Sequence, residues 1–335
     1  MSMKTACNHE IKVSEAAVRV TPYLHRTPVL SSDFLNSLLG HQFFFKAEPL
    51  QKVGAFKARG ALNCLLALKE KNQLPREVVA FSSGNHAQGV SWAARELGLK
   101  ATILMPEYSS PLKLQATRSY GANLVITKDR TEAESRVQDY IDKSAYLIHP
   151  YANPYVIEGQ GTACYEALED IKESIDAVFA PCGGGGLLSG TYLAAQELSP
   201  QSKVIGCEPL NANDAARSLR DGEIYSFEHS PDTICDGVMT LHIADITFQY
   251  LKKLNDFIEV EEDTIIYWTQ WLMHLLKINI EPSSALAMAA AVEYLTKNSF
   301  KEAQKILIIL SGGNIAADKH RLIWQKDYLT TIPSL

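Results

Sequence analysis

The sequence has no Cys-x-x-Cys pair, no long apolar run and no surplus of basic charge. Its six cysteines, Cys7, Cys64, Cys164, Cys182, Cys207 and Cys235, are scattered along 335 residues. That spacing lacks the close soft-ligand pairs of a structural zinc site, and a chain this long builds a core without disulfide staples. The cysteines are therefore expected to be reduced and mostly buried. The longest strongly apolar stretch, Ile306 to Leu310, is far short of the ~20 residues needed to span a bilayer. The first residues, MSMKTACNHEIK, carry no apolar region of the kind a secretory signal needs. Thirty-two Lys and Arg against 38 Asp and Glu leave a net charge of −6, so no basic field exists to hold a nucleic-acid backbone. Repeats and low-complexity segments are absent as well. What remains, 46 % hydrophobic and 21 % charged, reads as a soluble globular protein expected in the cytoplasm, with neither nucleic acid nor membrane as partner.

What is present is an alternation. Short apolar segments recur at Val78–Phe81, Ala101–Met105, Asn123–Thr127, Ala177–Ala180, Val204–Cys207 and Lys305–Leu310; the first, fourth and last lead into glycine-bearing turns, and most are followed by helical spacing. A charged helix is expected after Thr127, up to Lys143. Strands alternating with helices in this way predict an α/β protein with parallel sheets, whose ligands bind beyond the carboxyl ends of the strands. The length exceeds the roughly 250–300 residues at which single cores stop growing, so two domains are expected. No Pro-, Gly- or Ser-rich linker separates two halves. Residues 74–150 therefore read as a small domain inserted into a large one made of 1–73 and 151–335.

Four segments could carry chemistry. Cys182-Gly-Gly-Gly-Gly-Leu-Leu-Ser-Gly190 follows a strand and opens a helix, which gathers free N–H groups at a helix N-terminus and suits a phosphate. It is neither a P-loop nor the dinucleotide fingerprint, because Ser189 stands where the third glycine would be. Glu208, at the end of the next strand, could still imitate a ribose-binding carboxylate. In Val53-Gly-Ala-Phe-Lys-Ala-Arg-Gly60, Lys57 sits between Phe56 and Ala58. Apolar surroundings would lower its pKa and suit a Schiff-base nucleophile, although an exposed helical lysine is the commoner fate. Ser82-Ser-Gly-Asn-His-Ala-Gln-Gly89 offers a hydroxyl, an amide and an imidazole beside free N–H groups, an anion receptor or a plain N-cap. Ser311-Gly-Gly-Asn314 ends an apolar strand with a hydroxyl aimed into the crevice, or with a simple turn.

In this order the four segments resemble the fold-type II pyridoxal-phosphate enzymes, and within them the threonine dehydratase and serine racemase branch. Arg26-Thr-Pro-Val-Leu30, Gly159-Gln-Gly-Thr162, Gly206-Cys-Glu-Pro209, Thr233-Ile-Cys-Asp-Gly237 and Glu281-Pro-Ser-Ser-Ala285 extend the likeness over nearly the whole chain. The resemblance implies two open, twisted, mostly parallel sheets flanked by helices, with the site between a large and a small domain. It implies a Schiff base of pyridoxal 5′-phosphate on Lys57, Phe56 against the ring and Asn85 on the ring's 3-hydroxyl. Gly183, Gly184, Gly185 and Gly186 would hold the phosphate, and Ser311 would face the pyridine nitrogen. Ser83, Asn85 and His86 would meet the substrate, Ser83 with His86 nearby at its carboxylate. Glu208, the carbonyl of Ala212 and Asp214 match a divalent-cation site of the racemase-like members, with oxygen ligands suited to Mg²⁺ or Ca²⁺. Asp214 could otherwise be only a solvated helix cap.

The activity so implied is α,β-elimination from L-threonine or L-serine, giving a 2-oxo acid and ammonia. The cofactor acts as the electron sink, and Lys57 as the general base for the α-proton. Racemisation needs an acid/base on the other face of the α-carbon, and Ser83 stands at that position. A dedicated serine racemase, a 3-hydroxyaspartate dehydratase and, more distantly, a β-replacement transferase like cysteine synthase are alternatives on the same scaffold. A homodimer is implied too. Three positions depart from the pattern: Ala55 in place of Ser, Ser284 where glycine is frequent, and the bulky run Val-Met-Thr-Leu-His242 after Gly237.

Overall fold

The computed structural model describes residues 11–335, so Cys7 lies outside the described residues. Among the described residues ten strands form: β1 (Val29–Leu30), β2 (Gln42–Ala47), β3 (Glu77–Phe81), β4 (Lys100–Pro106), β5 (Asn123–Thr127), β6 (Tyr146–Leu147), β7 (Ala177–Pro181), β8 (Lys203–Pro209), β9 (Asp256–Val260) and β10 (Lys305–Leu310). One sheet has six strands in the order β1-β2-β10-β7-β8-β9, the other four in the order β5-β4-β3-β6. All pairings of these strands are parallel except that of β1 with β2. This is the two-sheet α/β architecture that the resemblance implies.

The apolar run in β10 is continuous because both faces of its sheet are covered. Ile306, Ile308 and Leu310 pack with Trp268 and the alanine-rich helix Pro282–Lys297, while Leu307 and Ile309 pack with Val178, Leu187 and Leu188 on the opposite side. The second sheet repeats the arrangement. Val78 and Ala80 face Val90 and Trp92, whereas Val79 and Phe81 face Ala133 and Val137. All four strands of this sheet lie between residues 77 and 147, yet Leu62 and Leu65 of the helix Lys57–Glu70 complete its core. The helix that begins at Lys57 thus binds the two sheets together.

Four strands were not anticipated. β1 and β6 are two residues each, too short for any periodicity. β2 (QFFFKA) carries Lys46 and β9 (DFIEV) carries two acids, which obscure the apolar pattern. The charged helix expected up to Lys143 is broken into Arg130–Arg136 and Gln138–Ile141. The five described cysteines are free and buried, as expected. No helix among the described residues is long and apolar enough to cross a membrane.

Candidate active site

The carboxyl ends of β3, β7 and β10 open on one cavity of about 280 Å³. Lys57, Ser83, Asn85, the four glycines, Glu281 and Ser311 all line it. The geometry brings together four segments that the chain separates widely.

Lys57 is the first residue of the helix Lys57–Glu70. The preceding N–H, of Phe56, donates to Ser311 O (3.0 Å), which ties the lysine box to the end of β10. Lys57 Nζ donates to Pro150 O (3.0 Å) and lies 4.9 Å from the centre of the Phe56 ring. Burial, and then the charge of Arg130, bring the amine down to about 7 against the opposing pull of Glu281. A substantial fraction is therefore the neutral nucleophile near neutral pH. Two residues on, fully buried Arg59 donates to Glu48 (Nε to Oε2, 2.7 Å) and to Glu166 (Nη2 to Oε2, 2.8 Å). Lys46 joins the same group through Glu166 (2.9 Å). The base of the Lys57 helix is thereby fixed from three directions. Just upstream, Val53 has φ 57°, a region that costs a β-branched residue roughly 1–2 kcal/mol. Asn314 Nδ2 holds it there by donating to Val53 O (2.7 Å).

The glycine loop is an anion cradle. Gly185 has φ 86° and opens the 13-residue helix Gly186–Leu198. The N–H groups of Gly183, Gly184 and Gly185 donate to nothing among the described residues. The Tyr151 ring lies so close that a Cβ at Gly184 would fall 2.1 Å from it, and one at Gly186 would fall 2.8 Å from Gln160 Oε1. Only glycine fits, and the orphaned donors at a helix N-terminus fit a phosphate.

At the opposite end stand Asn85, Glu281 and Ser311. Asn314 Nδ2 donates to Asn85 Oδ1 (2.9 Å), which fixes the amide so that Asn85 Nδ2 donates to Glu281 (3.1 Å to Oε2). One Nδ2 hydrogen remains for a ligand oxygen. Ser311 Oγ lies 3.3 Å from Glu281 Oε1. Burial, then Asp236, push the Glu281 carboxyl up to about 7, against hydrogen bonds from Asn85 and Ser311. In the sequence Glu281 stood only as part of a motif, because an acid before proline also reads as a helix start. A buried amine, an anion cradle and two polar groups around a ring-sized gap fit pyridoxal phosphate.

Ser83 and Gly84 form the wall between these ends, and Lys113 lies against them: its Nζ would be 3.5 Å from a Cβ at Gly84. His86 is built differently from expectation. Its Nε2 donates to Ile148 O (2.8 Å), and its buried Nδ1 has no partner. Burial, then Lys57, hold the ring neutral by lowering its pKa well below the usual value. The one N–H is spent on a carbonyl, so this imidazole offers an acceptor and no donor for a carboxylate.

The three residues of the expected cation site also meet. Glu208 lies near the end of β8, Ala212 closes the turn Leu210–Ala212, and Asp214 begins the helix Asp214–Asp221. All three are fully buried. Asp214 is therefore no solvated cap, and Glu208 takes that part, accepting from Ala215 N (3.3 Å) and Ala216 N (3.0 Å). The ribose reading of Glu208 ends with this placement. The Asp214 carboxylate has only weak contacts, with its own N–H, the Thr240 hydroxyl and the Ile243 N–H. Burial pushes both acids above the ordinary carboxylate range, and the charge of Asp214 adds to the rise at Glu208. Among the described residues no three His, Cys, Asp or Glu side chains gather as a metal site, so two carboxylates and a carbonyl would be the protein's share. That oxygen set, with poorly partnered charge, fits a hard divalent cation.

Comparison with known proteins agrees with this chemistry. The L-threo-3-hydroxyaspartate ammonia-lyase of Saccharomyces cerevisiae is 41 % identical over 306 residues, covering 90 % of this chain and 92 % of that protein. The serine racemase of Dictyostelium discoideum is 43 % identical over 307 residues, covering 90 % and 94 %. Among solved structures, maize serine racemase superimposes with a TM-score of 0.86 at 37 % identity, covering 93 % of this chain and 94 % of that one. Residues 20–312 match the family described as "Pyridoxal-phosphate dependent enzyme". With a buried lysine, a glycine phosphate cradle and that match over most of its length, the chain belongs to the pyridoxal-phosphate dependent enzymes.

Proposed function

We propose that this chain is an ammonia-lyase that converts L-serine or L-threonine to a 2-oxo acid and ammonia, with serine racemisation as a companion activity. The observation that carries the reading is Lys57, a buried amine held near neutral pKa between an anion cradle and a hydroxyl-bearing loop. Pyridoxal phosphate supplies an electron sink for charge developing at the α-carbon when it is bound. The glycine N–H groups would hold its phosphate, Asn85 would donate to its 3-hydroxyl, Phe56 would lie against its ring and Ser311 would face its nitrogen. Lys57 Nζ would take the α-proton from one face. Ser83 Oγ stands on the other face and returns a proton there when the substrate is racemised. The Ser83 loop binds the α-carboxylate, with neutral His86 packed behind it.

Glu208, Ala212 O and Asp214 bind Mg²⁺ or Ca²⁺ beside the phosphate loop, where the ion offsets two buried carboxylates. Residues 74–150 form the small domain and close over the substrate as one unit, the remainder forming the large domain. The protein acts in the cytoplasm as a homodimer. A second reading, 3-hydroxyaspartate as the substrate, is favoured by one observation: Lys113 and Arg130 line the cavity, and a second carboxylate would compete there with their present partners Asp236 and Glu134.

Proton NMR of L-serine, L-threonine and L-threo-3-hydroxyaspartate in D₂O with the holoenzyme and Mg²⁺ tests these readings together. Pyruvate or 2-oxobutanoate establishes the lyase. Loss of the α-proton signal from otherwise intact serine establishes racemisation. Faster turnover of hydroxyaspartate, lost in Arg130→Ala, favours the second reading. An inert protein carrying bound cofactor overturns all three.

A further inference from the structure

Ser284 occupies a position where relatives of this pattern often carry glycine, and its hydroxyl reaches the one side chain assigned to the cofactor's nitrogen. Ser284 is fully buried in the first turn of the helix Pro282–Lys297. Its Oγ donates to Gly312 O at 2.7 Å, an oxygen that can only accept. It accepts from Gly312 N at 2.8 Å. Its remaining neighbour is Ser311 Oγ at 3.0 Å. A hydroxyl has one proton to give and two lone pairs to receive with. The proton of Ser284 is committed to Gly312 and one lone pair to Gly312 N, so in the Ser284–Ser311 contact only Ser311 can donate, and its proton is shared between Ser284 Oγ and Glu281. The other acceptor near Ser311, Glu281 Oε1, is farther away at 3.3 Å, near the outer limit for a hydroxyl donor.

We propose that Ser284 is a positioning residue that competes with the pyridine nitrogen of the cofactor for the single proton of Ser311. The inference rests on the reading that pyridoxal phosphate binds with its nitrogen at Ser311. Where residue 284 lacks a hydroxyl, the Ser311 proton is free to be donated to the ring. Here Ser311 turns its lone pairs outward, and the nitrogen loses its donor. The departure at position 284 thus acts on the cofactor's electronics and not only on pocket width.

The test compares the affinity of the apoprotein for pyridoxal phosphate and for 1-deazapyridoxal phosphate, in which a C–H replaces the pyridine nitrogen and cannot accept. Equilibrium titration followed by cofactor absorbance gives both dissociation constants without any turnover. Their ratio cancels general loosening of the site, which would weaken both ligands alike. In the unaltered protein the ratio is expected to lie within about twofold of one. Ser284→Ala should shift it roughly five- to tenfold toward pyridoxal phosphate, the worth of one regained hydrogen bond. That gain should vanish in the Ser284→Ala, Ser311→Ala double variant. Ser284→Cys, which keeps the volume but accepts poorly, should show part of the gain and serves if the alanine variant does not fold. An unchanged ratio in both variants, or a preference of about fivefold already present in the unaltered protein, overturns the proposal. Failure of either ligand to bind the unaltered protein overturns the cofactor reading beneath it as well.

Discussion

Around Arg59 every buried charge has a close ionic partner, whereas around Lys57 and at Asp214 buried groups are poorly partnered. Arg59, Lys46, Glu48 and Glu166 amount to two cations and two anions with almost no exposure. Thr27 adds a hydroxyl to Glu48 (2.6 Å), and Thr162 accepts from Arg59 (3.1 Å). Only two residues away on the same helix, the Lys57 amine has one carbonyl, and the glycine loop has none for its N–H groups. The difference separates two jobs. A neutral, fully bonded cluster can hold a helix without any ligand. A set of orphaned donors and poorly partnered charges is completed by something that binds, and its cost is carried by the satisfied cluster beside it.

The contrast can be broken from either side. Lys57→Ala should have the largest effect on function, a loss of turnover of about 1,000-fold or more. Its stability to urea should stay within about 1 kcal/mol, because the change removes a poorly partnered buried amine rather than a bonded one. Steady-state assay and urea denaturation of the same preparation check both halves. Arg59→Met should do the reverse. Leaving Glu48 and Glu166 with Lys46 alone should cost about 3–5 kcal/mol, read as a fall in the urea midpoint. If Arg59→Met is instead well tolerated, the cluster is no anchor and the comparison collapses.

The effect of the proposed divalent cation should be milder. Chelation should lower the midpoint of thermal unfolding by roughly 5 °C relative to protein with the ion at about a hundredfold its Kd, and Asp214→Asn should abolish the difference. Equal melting with and without the ion would leave Asp214 buried for some other reason. The smallest effect concerns pH. Because Lys57 is lowered to about 7, and the neutral amine is the form that attacks, cofactor uptake by the apoprotein should speed up as pH rises through about 7 and level off above. Stopped-flow absorbance measures it, and a rate still climbing steeply at about pH 9 would show an unperturbed lysine.

The parts of this site that were readable from the chain are those set by local geometry. Four consecutive glycines between a strand and a helix leave few alternatives to an anion loop, and Gly185 takes the left-handed conformation that the turn requires. The continuous apolar run of β10 marks a strand covered on both faces. What was not readable depends on partners far away in sequence. Asn85 and Glu281 are 196 residues apart, and Lys46 and Glu166 are 120 apart. The sequence could not show that Ile148 O, 62 residues away, takes the N–H of His86. Lys46 carried no signal in the sequence, because its partner Glu166 is reached only in the fold.

The sequence alone decided the alternation of strands and helices, the glycine loop and the order of motifs that carries the family likeness. Each of these follows from backbone sterics, side-chain periodicity or residue identity within a dozen positions. Only the tertiary structure decided which charges share a dry interior, which acceptors lie within reach of the Ser311 hydroxyl and which buried groups are poorly partnered. Those outcomes turn on burial and on distances of about 3 Å between segments that meet because β10 inserts between β2 and β7, a pairing that no local pattern encodes.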